Sequence, residues 1–371
     1  MGANDEYYMA RALELARRGW YTARPNPRVG CVIVRQGEIV GEGWHQRAGE
    51  PHAEINALRE AGAAAAGATV YVSLEPCNHQ GRTPPCATAL IQAGVSRVVY
   101  GIKDPHQDAR GGLETLAKAG VEVHGPVLES EAGAVNQGFL QRIATGRPRV
   151  TLKVAASLDG RTAMASGESQ WITGPRARSD VQRLRAQSGA IITGIGTVLQ
   201  DDPSLTVREE QLDLPDAEAV AAMQPLRVIV DSRFRVHEAL KILRAPGQVL
   251  IATATQGERL ASYETLSIPN HAGKVSLPAL LDELGRRHCN DVLVEAGAKL
   301  AGAFVREGLV DELIIYLAPK LLGSQAMPML ELSFDKMAQA LDLRITDVRA
   351  LGHDWRVTAQ VADKSSRVNH Q

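Results

Sequence analysis

Hydrophobic positions along the chain recur with two periods, and the switches between them outline its elements. Over residues 5–18, Tyr8, Met9, Ala12, Leu15 and Ala16 fall on one helical face, with Asn4 or Asp5 placed to cap it. The period then shortens: VGCVIVR (29–35) and EIVGEGWH (38–45) flank Gln36-Gly37 and read as a hairpin. Beyond it HAEINALREAG reads as a helix and ATVYVSLEP as a buried strand. The same pairing recurs as PPCATALIQAG with SRVVYGIKDP, and as GGLETLAKAG with VEVHGPV. Helices alternating with strands predict a layered α/β domain.

Glycine and proline interrupt this pattern in ATGRPR (144–149), after which VTLKVAAS opens a fresh strand. One domain is therefore expected over residues 1–146, a second over 147–363, and the polar residues 364–371 as a frayed tail. In the second half strands are expected at AIITGI (190–195), LRVIVDS (226–232), QVLIATA (248–254), DVLVEAG (291–297) and DELIIYLAP (311–319). Helices between them predict another α/β domain. REEQLDLPDAEAVAAM (208–223) is acidic and weakly patterned, and reads as a surface excursion or short helix.

Length supports two domains, because 371 residues exceed what one hydrophobic core organises. Hydrophobic residues at 44% and charged residues at 22% suit an ordinary globular protein. A net charge of −1 gives no field for a polyanion, and 4% aromatic residues leave few stacking platforms, so a nucleic-acid partner is disfavoured against a small substrate. The opening MGANDEYYMARALELARRG has no apolar run, and no stretch approaches the length that spans a bilayer; a cytoplasmic protein with no membrane partner is expected.

Four cysteines make no disulfide framework in so long a chain, and clustered with a histidine they read as metal or catalysis. Pro51-His52-Ala53-Glu54 opens one helix, Glu75-Pro76-Cys77 ends a strand, and Pro85-Cys86 opens the next helix. A hydrolytic zinc takes three protein ligands and keeps a fourth position for water, and His52, Cys77 and Cys86 supply three. Glu54 completes the H-x-E and P-C pattern of zinc deaminases, in which the carboxylate moves protons without touching the metal. Cys31 lies in an apolar strand and Cys289 far along the chain, so both read as structural and neither closes a four-ligand site. The cysteines are separated by NHQGRTPP, where base deaminases have C-x-x-C. The longer loop opposes a tRNA-type base deaminase and brings His79 and Arg82 forward as candidate substrate contacts.

ARPNPRVGCVIVR (23–35), GEGWH (41–45), HAE (52–54) and SLEPCNHQGRTPPC (73–86) together resemble the deaminase domain of the bifunctional riboflavin-biosynthesis deaminase-reductase family. LKVAASLDGRTA (152–163), SQWIT (169–173), TVLQDDPSLTVR (197–208) and VEAGAKLAGAF (294–304) look like its reductase domain. The resemblance implies a cytidine-deaminase-like three-layer α/β/α domain followed by a dihydrofolate-reductase-like α/β domain. It implies zinc-dependent deamination of 2,5-diamino-6-(5-phosphoribosylamino)pyrimidin-4(3H)-one, then NADPH-dependent reduction of the ribosyl chain to give 5-amino-6-(5-phosphoribitylamino)uracil. It also implies association of copies through the reductase domain.

Carried over by resemblance, Asn26, His45, His79, Arg82 and Asp104 contact the phosphorylated pyrimidine substrate around the zinc. Asp104 sits in KDPHQDARGG, where the family more often has Asn and Val after Asp-Pro. NADPH is expected near Ala155, Trp171, Thr197, Asp201, Ser232 and the turn Gly297, Ala298, Lys299, Leu300, Ala301, Gly302 and Ala303. Ser169, Arg185, Leu205, Arg208 and Glu295 are expected to hold substrate, with Lys153 near the sugar; the arginines suit a phosphate by bidentate geometry. Read without the family, GAKLAGAF is a strand-to-helix turn whose glycines let backbone N–H groups approach a diphosphate. Its spacing is not the G-x-G-x-x-G fingerprint, so a Rossmann domain is not indicated.

Overall fold

The computed structural model describes residues 3–78, 85–106, 109–258 and 260–362. The chain divides into two compact units, Met1–Gly146 and Arg147–Gln371.

The first unit runs α1 (Ala3–Arg18), β1 (Gly30–Arg35), β2 (Glu38–Trp44), α2 (Ala53–Ala61), β3 (Thr69–Leu74), α3 (Cys86–Gln92), β4 (Arg97–Ile102), α4 (Gly112–Lys118), β5 (Glu122–His124), α5 (Glu129–Val135) and α6 (Gln137–Thr145). Its five strands lie in the order β2-β1-β3-β4-β5, with β1 antiparallel to both neighbours and β3, β4 and β5 parallel. Alternate strand residues serve opposite faces. Cys31, Ile33, Val70, Val72 and Val98 pack against Ala53, Ala57, Ala87, Leu90 and Leu116 from α2, α3 and α4. Val32, Val34, Tyr71 and Val99 pack against Met9, Leu13, Ala16, Ala132 and Val135 from α1 and α5. Three layers result, because burying both faces of the sheet requires helices on each. Gly43 sets the spacing on one side: a Cβ there would lie 2.3 Å from the Ala53 carbonyl oxygen, so only glycine lets the first turn of α2 sit directly on β2.

The second unit continues with β6 (Arg149–Ser157), β7 (Arg161–Ala163), α7 (Pro175–Gln187), β8 (Ala190–Gly194), α8 (Ile195–Asp201), α9 (Ala217–Ala222), β9 (Leu226–Val230), α10 (Lys241–Arg244), β10 (Val249–Thr253), β11 (Glu264–Ser267), α11 (Leu277–Arg286), β12 (Asp291–Glu295) and α12 (Ala298–Arg306). β13 (Glu312–Ala318), β14 (Met327–Pro328), β15 (Leu343–Leu351) and β16 (Asp354–Val361) complete it. Nine strands form one sheet in the order β11-β10-β9-β8-β12-β6-β13-β16-β15, parallel from β11 to β13 and antiparallel through β16 and β15. One face packs on α11 and α12 through Leu280, Leu284, Ala301 and Phe304, and the other on α7, α8 and α10 through Val181, Leu184, Val198 and Ile242.

Several features depart from the reading of the hydrophobic pattern, the short strands β7, β11 and β14 among them. The hairpin β15–β16 was not foreseen, because a register shift between Ile345 and Asp347 breaks the alternation and β15 is exposed along most of its length. Two short helices, α5 and α6, occupy a stretch whose glycines and Asn136 obscure the helical period. Residues 208–223, read as a surface excursion or short helix, do form a single 3-10 turn and the short α9. Arg227 was also missed as a core residue: it is completely buried, and its two terminal nitrogens donate to the carbonyls of Ser204, Ile242, Ala245 and Gly247.

Candidate active sites

In the first unit the reactive side chains come from two helix N-termini and one strand end. His52 is the N-cap of α2, Glu54 stands in its first turn, and Cys86 opens α3. Cys77 follows β3 across Glu75-Pro76. The His52 Nδ1 lies 3.3 Å from the Cys86 sulfur and 3.6 Å from the Cys77 sulfur, and the three donor atoms all fall within 4.8 Å of one another. Tetrahedral zinc at usual bond lengths puts its nitrogen and sulfur ligands about 3.6 Å apart, so the donor set fits the ion in both chemistry and spacing. The Cys86 amide donates to the Cys77 sulfur at 3.4 Å, which brings a helix N-terminus to bear on a thiolate. Hydrogen bonding from Cys86 lowers the Cys77 thiol, with a further contribution from His52.

Glu54 is 3% exposed, and burial pushes its carboxyl up to about 7, near the range in which one group can both take and give a proton. His45 meets His52 edge-to-face with ring centroids 5.4 Å apart. Its Nδ1 lies 3.2 Å from the Pro51 carbonyl, which only accepts, so Nδ1 carries the proton and Nε2 accepts from the Asn26 amide at 3.0 Å. Burial lowers the pKa of this ring, favouring its neutral form. Asp104 is buried after β4, accepts from the His106 amide at 2.8 Å, and is raised by that burial. The structure thus brings Asn26 and His45 to the metal-ligand cluster and sets Asp104 on the neighbouring segment. His79 and Arg82 lie outside the described residues.

In the second unit Thr197, Ser232 and the Glu295–Gly297 turn stand at the carboxyl ends of β8, β9 and β12, which are adjacent in the sheet. Open parallel sheets bind ligands on this edge. α12 starts there behind Gly297 with no side-chain cap, and the Gly297 amide reaches Thr197 Oγ1 of α8 at 3.1 Å. A diphosphate fits such a cradle. Ser169 Oγ donates to Asp201 at 3.2 Å, and Ser232 Oγ accepts from the Val275 amide at 3.0 Å. Ala155 lies on β6, and the Trp171 indole is 61% exposed under the Arg178 guanidinium, 4.7 Å from its centroid.

Lys153, Arg185 and Glu295 form a buried charged cluster. Arg185 grips Glu295 with two bonds, at 2.6 and 3.0 Å, and Lys153 Nζ stands 3.7 Å from the same carboxylate. Burial pushes Glu295 up, but the two cations outweigh it and hold the carboxylate below its usual range. Arg185 also donates to the Thr206 carbonyl at 3.1 Å. Other side chains hold the same segment: Gln224 takes both polar groups of the Val207 backbone, and Gln182 accepts from the Arg208 amide at 3.0 Å. Leu205 is fixed there at a left-handed φ of 50°.

Sequence reasoning passed over Glu75, whose signal was an acid ending an apolar strand just before Pro-Cys. It also missed Asp180, which receives the buried Tyr316 hydroxyl at 2.6 Å and Arg356 at 2.9 Å. Nothing in a helix of mixed polarity marks one acid as buried.

Comparison with known families gives two matches: the cytidine and deoxycytidylate deaminase zinc-binding region over residues 3–102, and the RibD C-terminal domain over residues 148–357. The riboflavin biosynthesis protein RibD of Escherichia coli is 54% identical over 358 residues, covering 94% of this chain and 97% of its own. That of Haemophilus influenzae is 45% identical over 367 residues, covering 96% and 97%. Among solved structures, Acinetobacter baumannii RibD superposes with a TM-score of 0.90 at 49% identity, covering 97% of this chain and 99% of that one. A Thermotoga maritima diaminohydroxyphosphoribosylaminopyrimidine deaminase/5-amino-6-(5-phosphoribosylamino)uracil reductase gives 0.86 at 31% identity, with coverage of 97% and 99%.

Proposed function

The chain belongs to the RibD family of bifunctional deaminase-reductases of riboflavin biosynthesis, and from that premise we propose which of its residues carry each step. The deaminase step removes an amino group from the diaminopyrimidinone ribosylamine phosphate, and the reductase step converts the ribosyl chain of the product to ribityl. Residues 1–146 are assigned the first and residues 147–363 the second.

His52, Cys77 and Cys86 hold zinc, which supplies a Lewis acid that makes water nucleophilic near neutral pH. Glu54 takes a proton from water as oxygen bonds to the amidine carbon, and delivers a proton to the nitrogen that leaves as ammonia. Asn26, His45 and Asp104, with His79 and Arg82 of the inter-cysteine loop, orient the pyrimidine. The observation that carries this reading is the convergence of the three donor atoms beside a buried carboxyl. Replacing Glu54 by Gln should lower ammonia release about 10²–10⁴-fold, with zinc content and NADPH oxidation with the deaminated intermediate unchanged. Ammonia release within a few-fold of the native rate would remove Glu54 from this role.

In the second unit NADPH supplies the hydride. Thr197, Asp201, Ser232 and the 297–303 turn hold it with Ala155 and Trp171, so that reduction depends on positioning more than on an acid or base. Arg208 takes the substrate phosphate, Ser169 and Leu205 line its path, and Lys153 donates to the sugar. Glu295 and Arg185 keep that lysine in place.

No helix among the described residues is long and apolar enough to cross a membrane. A cytoplasmic location is supported by the family's biosynthetic role and by four cysteines with no disulfide between them. Copies associate through the edge strand β15, whose backbone is open to pairing and whose Ile345 and Val348 are 60% and 52% exposed. Ile345→Lys should shift the sedimentation coefficient toward the monomer; an unchanged value would place the contact elsewhere.

A further inference from the structure

Glu75 has a part that neither metal binding nor proton transfer explains. Its carboxylate is 7% exposed, and three backbone amides converge on it. Oε2 accepts from Asp104 at 3.2 Å; Oε1 accepts from Gly111 at 2.8 Å and from Leu113 at 3.4 Å. The last two open α4, which has no side-chain cap of its own, because its N-cap Gly111 lacks one. Glu75 therefore caps a helix from another part of the chain.

The same turn is sewn to the same segment by its backbone. The Glu75 amide donates to the Ile102 carbonyl at 2.9 Å, and the Asn78 amide to the Ala109 carbonyl at 2.9 Å. The Asn78 side chain accepts from Thr115 at 3.1 Å. Gly112 permits the closest approach, since a Cβ there would fall 1.8 Å from the Pro76 carbonyl oxygen. One short peptide, Glu75 to Asn78, thus carries the ligand Cys77 and also fixes the start and end of the segment that follows β4. Asp104, a buried carboxyl within electrostatic reach of Cys77, stands at the start of that segment.

We propose that Glu75 is a positioning residue for the deaminase step: through Asp104, Gly111 and Leu113 it fixes the wall of the pyrimidine pocket relative to Cys77, and so sets substrate affinity. This rests on the assignment of Asp104 to the substrate pocket. Misplacing a wall that contacts substrate equally in ground and transition states raises KM and leaves kcat nearly intact. A residue needed only for metal retention would lower zinc content instead.

The test uses Glu75→Gln in the full-length zinc-loaded enzyme. The amide keeps the shape but turns one acceptor into a donor facing a backbone N–H. Ammonia release is measured against substrate concentration, with zinc per chain and the thermal unfolding of the first unit determined on the same sample as the measures of its folding, and NADPH oxidation with the deaminated intermediate as the control for the second unit. The expected result is a KM raised at least tenfold, kcat within threefold, and native zinc content and NADPH oxidation. Loss of zinc, loss of NADPH oxidation, or an unchanged KM in Glu75→Gln would each overturn the proposal. Asp104→Ala separates the two readings: if it leaves KM unchanged while Glu75→Gln raises it, the pocket assignment of Asp104 fails and the control by Glu75 over substrate affinity does not.

Discussion

The two units solve the problem of holding a reactive group in opposite ways. In the first, three ligand atoms and one acid converge within a few ångströms from peptides that are short and close in sequence, and much of the burden falls on side chains that titrate. In the second, the candidate groups are spread from Lys153 to Ala303, and side chains mainly hold backbone. Arg185, Gln182, Gln224 and Arg227 together fix Ser204 to Arg208 before any ligand arrives. The difference teaches that chemistry done by a metal and a proton carrier needs particular elements of composition, whereas hydride transfer needs a rigid frame that many compositions supply.

Removing the metal is the sharpest way to break this comparison. Chelation should abolish ammonia release while NADPH oxidation with the deaminated intermediate continues at its native rate, and added zinc should restore the loss. Parallel loss of both activities would mean that the two units are not independent in function.

The next largest effect belongs to the second unit. Glu295→Gln leaves Arg185 and Lys153 buried without their counter-charge, which should cost about 3–5 kcal/mol in the unfolding of that unit and abolish reduction. Arg185→Met and Lys153→Met combined with Glu295→Leu, which leave neither cation unpaired, should recover much of the stability without recovering activity. Chemical denaturation followed by NADPH oxidation and ammonia release distinguishes these outcomes, with deamination expected to survive in both proteins.

A smaller effect separates the units by pH. Asp5 is held below its usual range chiefly by its bond to Arg97, 2.9 Å away, with the Tyr71 hydroxyl also donating at 2.9 Å. A lowered folded-state pKa contributes stability that is full above the unfolded value near about 4 and is lost as pH falls through the folded one. Asp5→Asn should therefore flatten the acid side of the first unit's stability profile and leave the second unit's melting unchanged.

The same contrast governs what was legible in the residues. His52, Glu54, Cys77 and Cys86 stood out because zinc accepts few side-chain types and their spacing reflects helix and strand ends. The strands of both sheets were legible where both faces are buried, as in β3, β4, β8 and β10. The β15–β16 hairpin was not, because exposed residues on an edge strand carry no inside-outside alternation. Glu75 and Asp180 were hidden for a different reason: their partners lie 29 or more positions away in sequence, and an acid satisfied by distant groups looks like an acid facing water.

Arg227 has a consequence for how this sequence can change. Two nitrogens on one rigid plane reach the carbonyls of Ser204 in the loop after α8, of Ile242 in α10 and of Ala245 and Gly247 in the turn that follows it, so the side chain works as a cross-link made without a covalent bond. A lysine offers one nitrogen and cannot span them. Substitution at that position alone would strand the carbonyls of Ser204, Ile242, Ala245 and Gly247 together, whereas insertions in the exposed stretch after Arg208 leave the anchor intact. Variation in this unit is therefore channelled toward the stretch after Arg208 and away from the core position that holds the Ser204 loop to the end of α10.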